Sequence, residues 1–360
     1  MSGENNLKVA LIGLMQSGKS TVLSAISGKE PAPMGSMDLH EQMVYVPDDR
    51  LDWLTELYQP KKTVHATVDC MDMPGISFTD EHGRTAARKF FNQVRTVEMF
   101  VIVVRAFENP SVPTYRSTVN PARDLDELRT EMLLADLELV TTRIERLEKS
   151  VHKPTKTQAR EKAELELQLK LQEAIESEKP ISSVIENDLQ MDLIKPLNFL
   201  TLKPIMVVAN VGEDQLDEAI DLGAGDDIEV IQLCASLESE LALLDPESRT
   251  EFMADMGLTE PASKKFVQSC YSTLGLIGFL TVGKDEVRAW PIEKGTSALD
   301  AAGKIHSDIK RGFIRAETMA YADLKELGDE KAVKAAGKMR LEGKTYTIQD
   351  GDIINFRFNV

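Results

Sequence analysis

The segment that most constrains this chain lies close to its N-terminus. Residues 13–20 follow the pattern G-x-x-x-x-G-K-S, directly after the apolar run Leu7–Ile12 and before a helical pattern from Ser20 to Ile26. In a strand–loop–helix of this kind the glycines let backbone N–H groups point at a phosphate, and the helix N-terminus adds partial positive charge. The pattern predicts a phosphate-binding loop in which Lys19 reaches the β- and γ-phosphates and the Ser20 hydroxyl ligates Mg²⁺.

A second motif follows the next predicted strand, Val64–Met71. Asp72–Gly75 has the form D-x-x-G, and in phosphate-loop hydrolases an aspartate at this place holds Mg²⁺ while the glycine amide senses the γ-phosphate. The next residue is Ile76, where Ras-like enzymes have a glutamine that orients the attacking water. Because an aliphatic side chain cannot hydrogen-bond water, we expect either slow hydrolysis or a water held by another group. Lys19, Gly75 and Ile76 are the predicted catalytic positions.

Two further segments are predicted to contact the base. Asn210–Glu213 follows the apolar strand Ile205–Ala209 and stands where a GTPase has N-K-x-D, and Cys234–Ser236 ends the following strand. In N-K-x-D the aspartate accepts hydrogen bonds from guanine. Here the lysine is missing and the carboxylate is one methylene longer, which favours ATP and leaves GTP as an alternative. The predicted nucleotide-binding residues are Gly13, Gln16, Ser17, Gly18, Lys19, Ser20, Thr21, Asn210, Val211, Glu213, Ala235 and Ser236.

The order of apolar runs predicts three regions. Short β-branched runs alternate with helical stretches up to about residue 120 and again from Ile205 to Leu233, which indicates an α/β domain with a mostly parallel sheet. Between them, residues 121–178 are charged, rich in leucine at helical spacing and interrupted by a turn at 153–156, which predicts an inserted α-helical hairpin. From about residue 278 the apolar runs are short and predict a small β-rich domain with one helix over 297–309. Its predicted strands are Phe279–Val282, Val287–Ile292, Tyr346–Ile348 and Ile353–Phe358. The predicted domains are 1–277, with the insertion at 121–195, and 278–360.

Charge and cysteine content limit the partners. The chain has 42 Lys and Arg against 59 Asp and Glu, a formal net charge of −17, which argues against bulk binding of nucleic acid or an anionic membrane but leaves room for a local basic face. The segment 278–360 is nearly neutral, with 14 basic and 13 acidic residues. Three scattered cysteines suit a reducing compartment. With neither a signal peptide nor a membrane-spanning apolar run, we expect a cytoplasmic protein that binds no DNA and no membrane.

Nearly the whole chain resembles the YchF-type Obg-like ATPases, a branch of the translation-factor-related GTPases. The resemblance is most specific in Val46–Leu51, Phe107–Asn109, Asn198–Pro204, Cys234–Glu240, Glu286–Trp290, Ala301–His306, Lys310–Glu317 and Gln349–Val360. It implies a P-loop NTPase domain, an inserted coiled-coil hairpin and a C-terminal β-grasp-like TGS domain. It also implies ATP as the substrate and the ribosome or its large subunit as a partner, contacted through the TGS domain and the coiled coil. An aliphatic residue in place of the catalytic glutamine is a feature of this family, in agreement with Ile76.

Three segments differ from the family pattern. Met15-Gln16-Ser17 replaces Pro-Asn-Val, whose asparagine assists a K⁺ ion in related enzymes, so K⁺ is left open as a further cofactor. Residues 77–88 replace a glycine-rich stretch after D-x-x-G. Ser36 takes the place of a threonine that ligates Mg²⁺ in the family. The predicted metal ligands are therefore Ser20, Ser36 and Asp72.

Two functions remain open at this point. The first is a slow Mg²⁺-dependent nucleoside-triphosphate hydrolase that acts as a ribosome-associated regulatory switch. The second is a nucleotide-binding scaffold with little or no hydrolysis, which reports its nucleotide state to a translation-related partner. A small-molecule kinase ranks last, because it explains neither the Asn210–Glu213 segment nor the C-terminal resemblance.

The sequence identifies no catalytic base. His82, Arg84 and Arg88 follow the D-x-x-G motif closely enough to be candidates, although ordinary exposed residues explain them better. For ribosome contact, the nearly neutral C-terminal domain supplies the expected RNA-facing surface, with a solvated charged helix as the competing interpretation. The residues of that surface are Lys304, Lys310, Arg311 and Arg315.

Overall fold

A computed structural model describes residues 7–30, 39–258 and 260–359 of the chain. The chain divides into two compact units. The nucleotide unit comprises Lys8–Gln42 and Cys70–Gly257, and the C-terminal unit combines Met43–Asp69 with the chain from Leu258 onward. No helix of the described residues combines the length and apolar character that crossing a membrane requires.

The described residues form twelve strands in two six-stranded sheets. The strands are β1 (Leu7–Ile12), β2 (His40–Tyr45), β3 (Lys62–Val64), β4 (Thr67–Asp72), β5 (Met99–Arg105), β6 (Ile205–Asn210), β7 (Glu229–Leu233), β8 (Leu276–Thr281), β9 (Glu286–Glu293), β10 (Phe313–Ala320), β11 (Arg340–Glu342) and β12 (Asp352–Phe358). The first sheet has the order β2-β4-β1-β5-β6-β7, and the second has the order β11-β10-β12-β8-β9-β3.

Thirteen α-helices and a few short 3₁₀ turns surround these sheets in the described part of the chain. The helices are α1 (Lys19–Ser27), α2 (Asp49–Tyr58), α3 (Glu81–Gln93), α4 (Pro121–Ser150), α5 (Gln158–Glu176), α6 (Asp188–Ile194), α7 (Ala235–Leu243), α8 (Pro246–Asp255), α9 (Ala262–Thr273), α10 (Ala298–Ile305), α11 (Ser307–Arg311), α12 (Tyr321–Leu327) and α13 (Glu330–Ala335).

The sheet of the nucleotide unit confirms the predicted α/β fold. Strands β1, β5, β6 and β7 pair in parallel, and every residue of β5 is buried. An unbroken apolar strand of this kind needs cover on both faces, which the connecting helices of a parallel sheet supply. The carboxyl ends of the parallel strands, where ligands bind in such folds, lead directly into the predicted nucleotide-binding segments.

The predicted helical hairpin is also present. Helix α4 begins with Asn120, whose side chain accepts a hydrogen bond from the N–H of Arg123, and with Pro121 in its first turn. Its 30 residues correspond to about 45 Å of helix. The chain then turns at residues 151–157 and returns as α5, and an apolar seam joins the two helices. Val140, Ile144, Leu167, Leu171 and Ile175 belong to that seam.

The C-terminal unit contains segments from the first fifth of the chain. Strand β3 pairs in parallel with β9, and Leu51 and Leu54 of α2 pack in the same core as Leu280 and Val287. These contacts explain why residues 43–69 group with this unit. The C-terminal unit resumes at Leu258 and not at residue 278. The predicted domain boundaries stay a prediction.

Three sequence-based expectations about secondary structure were wrong. The strand predicted over Val64–Met71 is two strands, because β3 pairs in the second sheet and β4 in the first. Tyr346–Ile348 is not a strand; Thr347 forms only an isolated bridge with Ser297. The single helix predicted over 297–309 is divided at His306, which is extended and caps α11 by accepting the N–H of Asp308 on Nδ1 (3.1 Å).

Candidate nucleotide-binding site

The phosphate-binding loop connects β1 to α1 and requires glycine at both of its glycine positions. Gly18 has a φ of +89°, and a Cβ there would lie 2.2 Å from Nδ2 of Asn210. A Cβ on Gly13 would lie 2.4 Å from the carbonyl oxygen of Val103. Between them, Gln16 adopts a left-handed φ of 60°, a conformation that costs free energy in a non-glycine residue and concentrates at ligand-binding loops. The sequence motif gave no sign that Gln16 is strained.

Lys19 lies inside this loop with its ammonium buried. Its Nζ donates hydrogen bonds to the carbonyl oxygens of Gly13 and Leu14, both at 3.0 Å. Burial lowers the pKa of Lys19 to about 8, and the nearby carboxylate of Asp72 opposes that change. Because neutral carbonyls compensate a buried cation only in part, an anionic phosphate is the stronger partner for this ammonium.

Ser20 and Asp72, two of the predicted metal ligands, are in direct contact. The Ser20 hydroxyl donates to Oδ2 of Asp72 at 2.6 Å, whereas Oδ1 of Asp72 is buried and has no hydrogen-bond partner among the described residues. Burial raises the pKa of Asp72, while Ser20, Lys19 and His40 oppose that rise. A buried carboxylate oxygen without a partner is a strained arrangement unless a cation takes it. One carboxylate and one hydroxyl also suit Mg²⁺, which keeps several waters and binds substrate phosphates.

The third predicted metal ligand, Ser36, lies outside the described residues. Within the described residues, no group of three or more His, Cys, Asp or Glu side chains is arranged to hold a metal. The donor set that can be described at this place therefore consists of Ser20 and Asp72.

Asn210 connects the phosphate loop with the second base-contacting segment. Its Nδ2 donates to the carbonyl oxygen of Ser17, and its Oδ1 accepts the N–H of Ala235, each at 3.1 Å. Asn210 is 4% exposed, so both bonds are protected from water. One side chain thus fixes two loops that are 218 residues apart in the chain. The Ser17 hydroxyl beside it is buried without a partner in the described structure, which leaves it available to a ligand.

The remaining predicted base contacts differ in exposure. Val211 and Ala235 are buried, while Glu213 and Ser236 are exposed. Glu213 opens a short 3₁₀ turn, in which the Gly212 N–H donates to Oε1 of Gln215. Of the predicted base contacts, the structure thus joins Asn210 and Ala235 to the phosphate loop, and it leaves the Glu213 side chain exposed.

The D-x-x-G segment is attached to the phosphate loop by backbone hydrogen bonds. The N–H of Ile76 donates to the Gly13 carbonyl at 3.2 Å, and the N–H of Met15 donates to the Ile76 carbonyl at 2.9 Å. Gly75 is pressed against Met15, whose Cα would lie 3.0 Å from a Cβ at position 75. The Ile76 side chain is 2% exposed and belongs to the core, so it takes no part in holding a water.

Comparisons with known proteins agree with this geometry. Residues 276–359 match the family model described as "YchF-GTPase_C: Protein of unknown function (DUF933)". The curated "Ribosome-binding ATPase YchF" of Bacillus subtilis (strain 168) is 42% identical over 98% of this chain and 100% of the relative. "Obg-like ATPase 1" of Oryza sativa subsp. japonica is 36% identical over 99% of this chain and 93% of its own. The chain belongs to the YchF-type family of Obg-like ATPases.

A solved structure supports the same assignment. The protein described as "Structure of the Schizosaccharomyces pombe YchF GTPase" is 30% identical, superposes with a TM-score of 0.81 and covers 98% of both chains. The relatives' names disagree on the nucleotide, since they contain both ATPase and GTPase. Family membership alone therefore leaves the nucleotide to be decided.

Sequence reasoning missed the role of Arg105 in this YchF-family site. Arg105 ends β5, is 4% exposed and donates to backbone carbonyls between Phe107 and Pro113. Its guanidinium also lies 4.5 Å from the centroid of the Phe107 ring, and that ring is close to Gly18 of the phosphate loop. The only sequence signal was a charged residue at the end of an otherwise apolar strand.

Polar contacts also join the segment after Gly75 to helix α4 of this YchF-family protein. The Phe78 N–H donates to the Tyr115 hydroxyl at 2.9 Å, and that hydroxyl donates to Glu127 of α4 at 3.4 Å. Two of the candidate catalytic residues, both on α3, also form ion pairs with α4. Arg84 pairs with Glu131 at 3.3 Å, and Arg88 pairs with Glu138. His82, the third candidate, is exposed on α3. The two arginines therefore connect α3 to the hairpin helix, and nothing in their contacts assigns them a catalytic role.

Proposed function

We propose that this YchF-family protein binds ATP with Mg²⁺, hydrolyses it slowly to ADP and phosphate, and acts as a ribosome-associated regulatory switch. The observation that carries the proposal is the cluster of Lys19, Ser20 and Asp72 at the phosphate loop, in which one oxygen of Asp72 is buried and has no hydrogen-bond partner within the described part of the chain. This set is the one that P-loop hydrolases use for a metal-bound triphosphate.

Each residue of the cluster has a definite task in hydrolysis, which is in-line attack by water on the γ-phosphate. The Lys19 ammonium exchanges its two loop carbonyls for phosphate oxygens and neutralises charge that develops on them. Ser20 and Asp72 would hold Mg²⁺, which would supply further positive charge to the bound triphosphate. The loop N–H groups and the N-terminus of α1 orient the phosphates.

We expect hydrolysis to be slow without a partner. Ile76 is buried in the core, Arg84 and Arg88 are paired with glutamates of α4, and His82 is exposed. A partner or a K⁺ ion then has to complete the site. The alternative function, a scaffold that holds nucleotide with little or no hydrolysis, is favoured by the same three observations.

ATP rather than GTP is the proposed nucleotide. Adenine lacks the N1–H and 2-amino donor pair that the aspartate of N-K-x-D recognises, and Glu213 at this place is both longer than aspartate and exposed. The curated relatives above carry the word ATPase in their names, which points in the same direction.

The ribosome is the proposed partner, and the cytoplasm is the corresponding location. The relative from Bacillus subtilis, whose full length aligns with this chain, is named a ribosome-binding ATPase. We assign ribosome contact to the hairpin α4–α5 and to the C-terminal domain, for which the sequence resemblance implies a TGS fold. The contacts from Phe78 and from α3 to α4 give the nucleotide site a direct physical connection to the hairpin.

Calorimetric binding of ATP and GTP with Mg²⁺ tests the choice of nucleotide. The wild-type protein should prefer ATP, and Glu213→Asp should gain affinity for GTP because it restores the shorter carboxylate. A wild-type preference for GTP would refute the assignment of ATP.

Multiple-turnover phosphate release, with and without ribosomes and K⁺, separates the hydrolase from the scaffold. We expect slow release that ribosomes or K⁺ accelerate and that Lys19→Ala and Asp72→Asn reduce by about 100-fold or more. If ATP binds but none of the conditions yields turnover above the Lys19→Ala background, the scaffold is the correct function.

A further inference from the structure

The C-terminal unit contains a pocket of about 610 Å³. This volume lies within the range of about 300 to 1,000 Å³ that is usual for small-molecule sites. Its walls come from residues 46–50, Ala66, α9, β8, β9 and Asp350, all of which belong to this one unit. None of the described residues assigned above to the nucleotide lines it. The pocket is therefore a candidate site for a second ligand.

Three segments that carry the family resemblance meet at this pocket. Val46–Leu51, Glu286–Trp290 and Gln349–Val360 each contribute residues to its walls. The proposed nucleotide site uses none of the three. The pocket thus collects sequence features that nucleotide binding leaves unexplained.

The polar wall of the pocket is built around Arg50. Its guanidinium donates to both carboxylate oxygens of Asp48, at 2.8 and 2.9 Å, and to Oδ2 of Asp350 at 2.8 Å. Oδ1 of Asp350 accepts the Gly278 N–H at 2.8 Å, and the Gly351 N–H donates to the Gly278 carbonyl at 2.8 Å. Because these bonds hold distant parts of the chain together, the wall is formed in advance and a ligand does not have to order it.

This wall keeps a negative charge. One guanidinium serves the two carboxylates of Asp48 and Asp350, which leaves the three groups with a formal charge of −1. The other charged pair of the lining, Lys264 and Asp49, lies 3.7 Å apart and adds no net charge. The pocket therefore attracts a cationic group and repels an anionic one.

Tyr271 of α9 adds a hydroxyl that is free to bind a ligand. The residue lines the pocket, and its hydroxyl forms no hydrogen bond with another residue in the part of the chain that the structure describes. Burial raises the pKa of Tyr271 far above its usual value, and the carboxylates of Asp48 and Asp350 add to the rise while Arg50 opposes it. A phenol oxygen accepts a hydrogen bond, and the face of its ring attracts a cation.

The rest of the lining is largely apolar. Contact with it favours a ligand that has an apolar body. Trp290 does not provide a stacking surface, because the Arg288 guanidinium lies 4.1 Å from its ring centroid and Phe279 stacks on it with 6.2 Å between the ring centroids. The apolar side chains of the lining include Val46, Pro47, Val267, Ile277 and Pro291.

We propose that this pocket binds a small primary amine with an apolar body. The protonated amine meets the negative charge of Asp48 and Asp350 and donates to the Tyr271 hydroxyl, and the apolar body lies against the aliphatic lining. A primary ammonium suits this place, because it has three donors and is charged at neutral pH. The proposal rests on the pocket alone and is independent of the nucleotide and of the ribosome.

Three matched compounds test the proposal: 2-phenylethylamine, 2-phenylethanol and phenylacetate. They share a phenyl ring on a two-carbon chain and end in a cation, a neutral hydroxyl and an anion. Binding to the full-length protein is measured by ligand-observed NMR titration at neutral pH. We expect a Kd of about 1 mM for the amine, as is usual for a compound of this size. The alcohol should bind about tenfold more weakly, because it lacks the charge-assisted hydrogen bond, and the carboxylate more weakly still.

Two variants and a matched control locate the binding. Asp350→Asn removes one negative charge and keeps the shape of the side chain, so the preference for the amine over the alcohol should fall to about threefold or less, with the affinity for the alcohol unchanged. Gln268→Trp, at an exposed position of the lining, fills the pocket and should abolish binding of both compounds. Asp285→Asn, at an exposed carboxylate that does not line the pocket, should change neither affinity. All three variants should keep the wild-type melting temperature.

Several outcomes would overturn the proposal. The wild-type protein must not bind the amine and the alcohol equally, prefer the carboxylate, or fail to bind all three compounds. Amine binding that survives in Gln268→Trp would place the ligand elsewhere. An unchanged preference for the amine in Asp350→Asn, or an equal loss of that preference in Asp285→Asn, would show that the charge at the pocket does not select the ligand.

Discussion

Asn210→Ala is the substitution that best tests how the nucleotide site is held together. It removes both the donor to the Ser17 carbonyl and the acceptor for the Ala235 N–H. Each lost hydrogen bond contributes about 1 kcal/mol, and each group left buried and unpaired costs about 1 to 3 kcal/mol. Because the side chain is 4% exposed and the alanine leaves space for some water, we expect the free energy of unfolding to fall by about 2 to 4 kcal/mol.

The same change should weaken ATP binding, because the phosphate loop and the loop at Ala235 are then no longer held in register. A loss of at least about 1.4 kcal/mol, or tenfold in Kd, is expected. Calorimetry with ATP and Mg²⁺ measures the affinity, and urea unfolding measures the stability.

Two further variants make this prediction specific. Asn210→Asp keeps the acceptor for Ala235 but places a carboxylate oxygen against the Ser17 carbonyl, so it should lose at least as much ATP affinity as alanine does. Asn355→Ala, at an exposed position of β12, should change neither quantity. Wild-type ATP affinity in Asn210→Ala would refute the conclusion that Asn210 fixes the two loops.

Three further predictions follow from other contacts. Tyr115→Phe removes the hydroxyl that accepts the Phe78 N–H. We expect kcat for phosphate release to fall about fivefold, which corresponds to one hydrogen bond, and the affinity for ATP to stay unchanged. An unaltered kcat would contradict the idea that Tyr115 positions the segment after Gly75. Asp136→Ala removes the carboxylate that pairs with the buried guanidinium of Arg95 at 2.7 Å and accepts the N–H groups of Leu200 and Thr201. Urea denaturation should show that the free energy of unfolding falls by about 3 to 5 kcal/mol. A fall of less than about 1 kcal/mol would show that the pair is unimportant. Burial lowers the pKa of Lys19 to about 8, and a bound triphosphate favours the protonated form of Lys19. The affinity for ATP should therefore be constant below pH 8 and fall by up to about tenfold per pH unit above it. An affinity that stays constant up to about pH 9.5 would contradict this.

Features that depend on neighbouring residues were predictable from the sequence. The phosphate loop needs only a strand, eight consecutive residues and a helix, so residues 13–20 and their flanks were placed correctly. Strands β5, β6 and β7 were recognised because each is an apolar run that matches a buried parallel strand. The two helices of the hairpin were visible in the spacing of leucines, and their turn was visible in Lys153-Pro154.

Features that depend on residues far apart in the chain were not predictable. Asn210 could be placed after its strand, but its bonds to Ser17 and Ala235 require the register of three loops at one sheet edge. Likewise, the sequence could not show that Val64 leaves the first sheet to pair beside β9, because an apolar run gives no information about which sheet it joins. The buried position of Ile76 was also unexpected, since residue type alone does not fix the direction of a side chain.

The sequence by itself determined the chemistry of this protein, because a P-loop, a D-x-x-G motif and a helical hairpin are each specified by local spacing and residue type. Only the tertiary structure decided how these parts work together. It showed which oxygen of Asp72 has no partner among the described residues, and how Phe78 and α3 contact α4. Such properties depend on burial and on distances between residues remote in sequence, and the folded chain alone sets those distances.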